Sequence, residues 1–294
     1  MKTILKTLLF LLTVVLLSQC RKEIELPKVN IPDDNFLNAL IELGVDTDGD
    51  SIISPAEAEI ITSLGVSEKN ISDMTGIEAF VNLETLRCND NQLTSLDVSK
   101  NTSLIYLYCY SNQLTNLDIS NNTALERLCC GSNQLTSLDV SNNTALSALC
   151  CESNPLTTLD VSNCTALRIL CSRYNQLTSL DVSNCTALTE LWCWDNQLTS
   201  LDVSNNTALE GLCCDDNQLT SLDVSTNTRL TWLYCGDNQL TSLDVSNNIA
   251  LTYISLRDMP SLNKVCVWEM PFPPAGVEVS ITDSPNVYFT TDCN

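Results

Sequence analysis

The sequence predicts a solenoid of short coils, closed at each end by a segment that departs from the repeat. Three observations predict it. Leucine recurs at Leu83, Leu104, Leu125, Leu146, Leu167, Leu188, Leu209, Leu230 and Leu251, always 21 residues apart. The intervals follow one consensus unit, LxxLxCxxNQLTSLDVSNNTA, and no insertion breaks the period. The flanking stretches 31–60 and 259–294 do not share it. A fixed period of this length marks stacked units that bury apolar faces only against their neighbours.

Composition narrows the function. With 44% hydrophobic residues, the 294-residue chain has ample material for a core. Its formal charge is −22, with acids spread along the whole length, so nucleic acid and anionic membrane surfaces are repelled and no nucleic-acid partner is expected.

At the N-terminus, Lys2 and Lys6 precede an apolar run from Leu8 to Leu17 that is too short to span a bilayer and reads as a signal peptide, residues 1–19. The sequence continues with Cys20 and RKEIELPK, and this junction resembles that of a bacterial lipoprotein, although Gln19 stands where a small residue is usual. The resemblance implies acylation of Cys20. The chain is then expected to be exported to the bacterial cell envelope and lipid-anchored at the outer membrane or surface. Its membrane contact would run only through that lipid and a tether at 20–30.

Residues 31–60 predict a helix–loop–helix cap. DDNFLNALIEL is amphipathic, and in DTDGDSIISPAE the residues Asp46, Asp48, Asp50, Ser54 and Glu57 occupy places 1, 3, 5, 9 and 12 of an EF-hand loop. Ile52 falls at place 7, which donates a backbone carbonyl. The spacing predicts one calcium ion. Place 6 is Ser51, where the loop needs a sharp turn and glycine is usual. Ser54 as cap, Pro55 in the first turn and Glu57 three residues after the cap predict a helix start.

Residues 61–258 carry the repeats. In LxxLxC the first, fourth and sixth side chains point inward, and alternation sends the residue between leucine and cysteine outward. The motif LxxLxCxxNxL resembles the leucine-rich repeat consensus over residues 83–250, eight complete units. The second half, LTSLDVSNN, has its own LxxLxV pattern, similar to a bacterial subclass with doubled short motifs. The resemblance implies a mainly β leucine-rich repeat solenoid with two short strands per coil and little helix. Residues 61–82 form a divergent first unit of 22 residues, whose TGIEAFVNL suggests a short convex helix as in the internalins. Residues 259–294 carry prolines and alternating strand patterns, predicting a β-rich cap that Cys266 and Cys293 could bridge.

Thirteen of the sixteen cysteines follow the same period, including Cys164 and Cys185, which replace the turn asparagine on consecutive coils where a disulfide between coils is geometrically possible. Cys88, Cys109, Cys130, Cys151, Cys193, Cys214 and Cys235 fill one inward place and act as small apolar side chains. Cys129, Cys150, Cys171 and Cys213 fall one residue earlier and point outward, where disulfides between coils are geometrically possible. The chain has no histidine, so a mixed zinc site and a histidine-activated cysteine nucleophile are both disfavoured. Asn91 and its counterparts in each coil should bond the turn backbone and one another. On the opposite half Asp97, Asp118, Asp139, Asp160, Asp181, Asp202, Asp223 and Asp244 should be satisfied locally by donors in DVSNN.

The candidate ligand surface is the outward side of the first strand. Tyr106, Tyr108, Tyr110, Tyr174, Trp192, Trp194, Trp232, Tyr234 and Tyr253 all fall there, beside acids such as Glu190 and Asp215. Solenoid packing requires no such bias, and exposed aromatics serve as anchors for protein partners or stack on sugar faces. The sequence therefore predicts a non-catalytic binding protein of the cell surface or periplasm that recognises a protein partner, with glycan as the alternative ligand. A structural spacer is a further reading. A carboxylate glycosidase is another, although no acid pair stands out from the repeat.

Overall fold

The computed structural model describes residues 27–293; the signal segment, Cys20, the first part of the tether and Asn294 lie outside it. A parallel sheet of 11 strands runs the length of the molecule. It begins at Ser63–Gly65, continues through three-residue strands such as Tyr106–Tyr108, Ala148–Cys150 and Trp232–Tyr234, and ends at Glu278–Ser280. Every pairing is in register from one coil to the next, for example Leu107 with Leu128 and Leu128 with Leu149. The central residue of each repeat strand is buried and its neighbours face out, as period-two alternation requires.

Inside the coils the leucines, the valine of LDV and the cysteine after the strand form one continuous core. Leu170, Cys151 and Val161 have no exposed surface. Truncating one such leucine to alanine leaves a cavity bounded by coils on both sides, at a cost of roughly 2–5 kcal/mol.

Asparagine after the strand joins consecutive coils. Asn112 donates through Nδ2 to the carbonyls of Cys88 and Cys109 at 3.0 and 3.1 Å, and its Oδ1 accepts the Leu93 N–H at 3.0 Å. The side chains therefore bond turn backbone and not one another. The opposite half matches the expectation of local bonding, with the Ser99 N–H on Asp97 and the Ser141 N–H on Asp139, both at 2.9 Å.

The second strand expected in each coil is largely missing. Among the described residues only Ser242–Asp244, Lys264–Cys266 and Tyr288–Thr290 form a sheet on that wall, extended by a single bridge between Asp223 and Asp244. The first wall is held at strand spacing by its ladder, whereas on the opposite half successive coils are joined by single bonds such as the Gln113 N–H on the Leu93 carbonyl at 2.8 Å, and a ladder forms only near the end of the described residues. The terminal segment continues both sheets: Tyr253–Ser255 pairs with Glu278–Ser280, and Lys264–Cys266 with Tyr288–Thr290. Cys266 and Cys293 are disulfide-bonded across it.

At the other end, α1 (Asp34–Glu42) and α2 (Pro55–Glu59) close the first coil. Asp33 caps α1 by accepting the Phe36 N–H, and its other oxygen accepts the Ser72 N–H and hydroxyl, both at 2.8 Å. Phe36, Ala39 and Leu40 pack into the core. The divergent first unit contains a single 3-10 turn, Ile77–Ala79. Among the described residues no helix is long and apolar enough to cross a membrane.

Candidate binding surface

The nine outward aromatics divide into two groups. Tyr106, Tyr108 and Tyr110 lie on one coil; Tyr106 and Tyr110 are exposed, and Tyr108 lies beneath the Arg87 guanidinium at 5.2 Å. Among the described residues none of these three contacts another aromatic ring at stacking distance. The other six pack on one another. Trp192 meets Trp232 at 5.8 Å, Trp232 meets Tyr234 at 6.0 Å, Tyr234 stacks on Tyr253 at 4.9 Å, and Tyr174 meets Trp194 at 4.2 Å. Edge-to-face and stacked arrangements at these separations are those favoured by the ring quadrupole.

Trp192 and Trp232 lie two coils apart, and a glycine permits their contact. Gly211 occupies the outward strand place of the intervening coil, paired in register with Trp232. A side-chain carbon there would fall 1.7 Å from the Trp232 ring. Trp232 therefore lies flat across a coil that has no side chain in its path.

The same device operates two outward places further on, just past the end of the strand. Asp215 is only 5% exposed, and its Oδ1 accepts the Gly236 N–H at 2.6 Å. The Cys213 thiol lies 3.6 Å from its other oxygen. Burial pushes the Asp215 carboxyl up to about 6, against the opposing pull of the Gly236 N–H and Arg257. Arg257 is shared between Asp216 and Asp237 at 3.6 Å each. Arg173 sits over both Trp192 and Trp194, at 5.7 and 5.5 Å.

Together these residues line a cleft of about 1090 Å³, with Trp192, Trp194, Trp232, Tyr234 and Tyr253 as walls and Asp215, Glu190 and Arg173 as polar contacts. Tyr174 braces it from outside. Its backbone is left-handed, φ 54°, at a turn place filled by aspartate or serine in the other repeat coils. An aromatic residue in that conformation is strained, and such strain concentrates at functional sites.

Sequence reasoning placed the aromatics on this face but missed Arg173, Gly211, Gly236 and Arg257. The glycines were the available signal: both stand at outward places of the repeat, where glycine serves no turn.

The calcium-like loop gathers part of its expected ligand set. Carboxylate oxygens of Asp46, Asp48 and Asp50 lie within 4.8 Å of one another. Ser51 adopts the left-handed turn that place 6 demands, φ 65°, and its N–H donates to Asp46 at 2.9 Å. Glu57 is placed elsewhere. Its two oxygens accept from Thr47 and Ser54, completing the capping box of α2, and these bonds hold its carboxyl down to about 2.

This coil geometry, with its leucine core, its cysteine place and its asparagine turn, defines a leucine-rich repeat solenoid. The chain is similar to internalin J of Listeria monocytogenes, 44% identical over 71 residues, which is 24% of this chain and 8% of that protein. The solved functional domain of internalin J from Listeria monocytogenes, described as including a cysteine ladder, superposes with a TM-score of 0.73 at 34% identity, over 89% of this chain and 62% of that one. The present chain thus spans less than two thirds of either internalin J match. YopM of Yersinia pestis shares the fold at 22% identity and a TM-score of 0.62, covering 86% of this chain and 68% of that one. No protein-family model matches the chain.

Proposed function

We propose that this chain is an exported, non-catalytic binding protein that grips a protein partner in the aromatic cleft. The observation that carries the reading is the cleft itself, where five aromatic rings from several coils converge beside a buried carboxylate. Convergent aromatic anchors around a few polar groups are the usual make-up of an interface hot spot. The test is affinity capture with the full chain, comparing Trp192→Ala/Trp232→Ala with Tyr106→Ala/Tyr108→Ala. Loss of the same partner with the first pair and retention with the second supports the reading; equal loss with both sinks it.

Glycan capture is a second reading, favoured by flat ring faces lying beside the Asp215 carboxylate and the Arg173 guanidinium. A carbohydrate array probed with the same two variants separates it from a protein partner.

Two further assignments complete the proposal. One calcium ion would be held by Asp46, Asp48 and Asp50 with the Ile52 carbonyl and Ser54, and Glu57 would join only by releasing Thr47 or Ser54. Calcium should then raise the melting temperature, and Asp46→Ala should abolish the rise; no shift in the parent protein removes the assignment. Lipid anchoring at Cys20 rests on the sequence pattern, and Cys20→Ser should release the chain from the membrane fraction.

A further inference from the structure

Two thiols on the outward face are placed to react with each other. Cys129 and Cys150 end adjacent parallel strands and are directly paired in register. Both are free and partly exposed. Strand bonds on both sides fix the pair, with the Cys109 N–H on the Cys129 carbonyl and the Cys130 N–H on the Cys150 carbonyl, each at 2.8 Å.

Their sequence neighbours behave differently. Cys130 and Cys151 are fully buried in the core, and burial pushes both thiols well above the ordinary range. Such thiols are inert, because the thiolate is the nucleophile. Cys150 is shifted the other way, first by the hydrogen bond from Cys129 and then by the charges of Arg127 and Arg173, against burial and Glu152. Cys129 is pushed up.

We propose that Cys129 and Cys150 are a redox-active dithiol that a disulfide-bearing oxidant converts into a cross-strand disulfide on the recognition face. The Cys150 thiolate attacks one sulfur of the oxidant, forming a mixed disulfide and expelling the other sulfur as a thiolate. Cys129 then gives up its proton to solvent and attacks the Cys150 sulfur, releasing the second half of the oxidant. Two electrons pass from the pair to the oxidant, and the two protons lost by the pair end on the released thiols.

The product is a reversible bond and not a permanent staple. Strands lie ~4.8 Å apart, whereas a relaxed disulfide wants its β-carbons ~3.8 Å apart, so the bond pinches the sheet and is readily reduced. Cys171 is next in register after Cys150 but is only 8% exposed, and it carries no hydrogen bond to the pair among the described residues. The dithiol lies between the tyrosine coil and the cleft, within the charge field of Arg173.

The experiment treats the full chain with oxidised glutathione, then denatures and alkylates it. Proteolysis at Asp139 separates Cys129 from Cys150, so a disulfide between them appears as a cross-linked peptide pair. We expect that pair to form nearly completely and to disappear with dithiothreitol. It should be lost in Cys129→Ser and in Cys150→Ser, and retained in Cys130→Ser and Cys171→Ser. The retained variants exclude a Cys130–Cys151 bond in the same two peptides. Independent alkylation of both thiols after oxidation overturns the proposal, as does a glutathione adduct that persists on Cys150, or a cross-link that survives Cys129→Ser. None of these outcomes depends on what the cleft binds.

Discussion

The tyrosine coil and the aromatic cleft are built on the same backbone with the same kinds of residue, yet only the second group of rings lines a cleft. Tyr106, Tyr108 and Tyr110 stand side by side on one coil and leave one another's rings untouched, whereas Trp192, Trp232, Tyr234 and Tyr253 reach across coils and enclose a volume. The difference lies in what stands between the rings. Gly211 and Gly236 remove side chains from the intervening places, so large rings can lie down and a carboxylate can be buried beside them. Around Tyr106 the neighbouring places hold Thr85 and Arg127, and the ring stands up into solvent. A concave wall becomes a pocket through its missing side chains as much as through its large ones.

The comparison can be broken at the scaffold that both regions share. Asn112 serves the tyrosine coil and Asn196 the cleft, each satisfying carbonyls of two coils and one N–H. Alanine at either leaves several buried groups unpaired, so both variants should lose roughly 2–4 kcal/mol in urea unfolding, equally within error. Unequal losses would mean that the two regions do not share one scaffold. At the surface the regions should part. Gly211→Leu should drive Trp232 off its coil, red-shift tryptophan emission and weaken partner capture by about tenfold or more. The matching change at the tyrosine coil, Thr85→Leu, should alter neither reading.

A smaller effect tests the buried carboxylate. Burial holds the folded Asp215 carboxyl at about 6 against its ordinary 3.8, so between those values the folded chain holds more protons than the unfolded one and loses stability as the pH rises. Asp215→Asn keeps an acceptor for the Gly236 N–H and should stabilise the protein by about 1–2 kcal/mol above pH 6, with the gain vanishing near pH 4. Glu57 and the exposed aspartates of the opposite half act in the reverse sense. Their carboxyls are held down by hydrogen bonds, so their contribution is complete above their unfolded range and falls away as the pH drops below it; for Glu57 the window runs from 4.5 to about 2. The smallest change is expected from Tyr174→Asn. Relief of the left-handed strain should offset the lost contact with Trp194, leaving thermal stability within about 1 kcal/mol while capture by the cleft weakens.

Much of the molecule was legible in the sequence because its physics is periodic. Leu107, Cys109 and Leu114 each recur 21 residues later in an identical environment, so alternation and burial could be assigned coil by coil. The cap helix was legible from Ser54, Pro55 and Glu57, whose bonds are local in sequence. The second strand was misjudged because LxxLxV specifies an inward pattern but not the spacing at which neighbouring walls pair. The cleft was only half legible. Aromatics at outward places were visible, but their direction of lean was not.

The sequence by itself determined the period, the inward wall and the sidedness of every coil, because each depends on the position of apolar residues along one short repeat. Only the tertiary structure decided which outward residues meet. Whether Trp232 reaches Trp192 and whether Asp215 is buried both depend on the room left by residues in adjacent coils. That room is set by close packing between side chains remote in sequence.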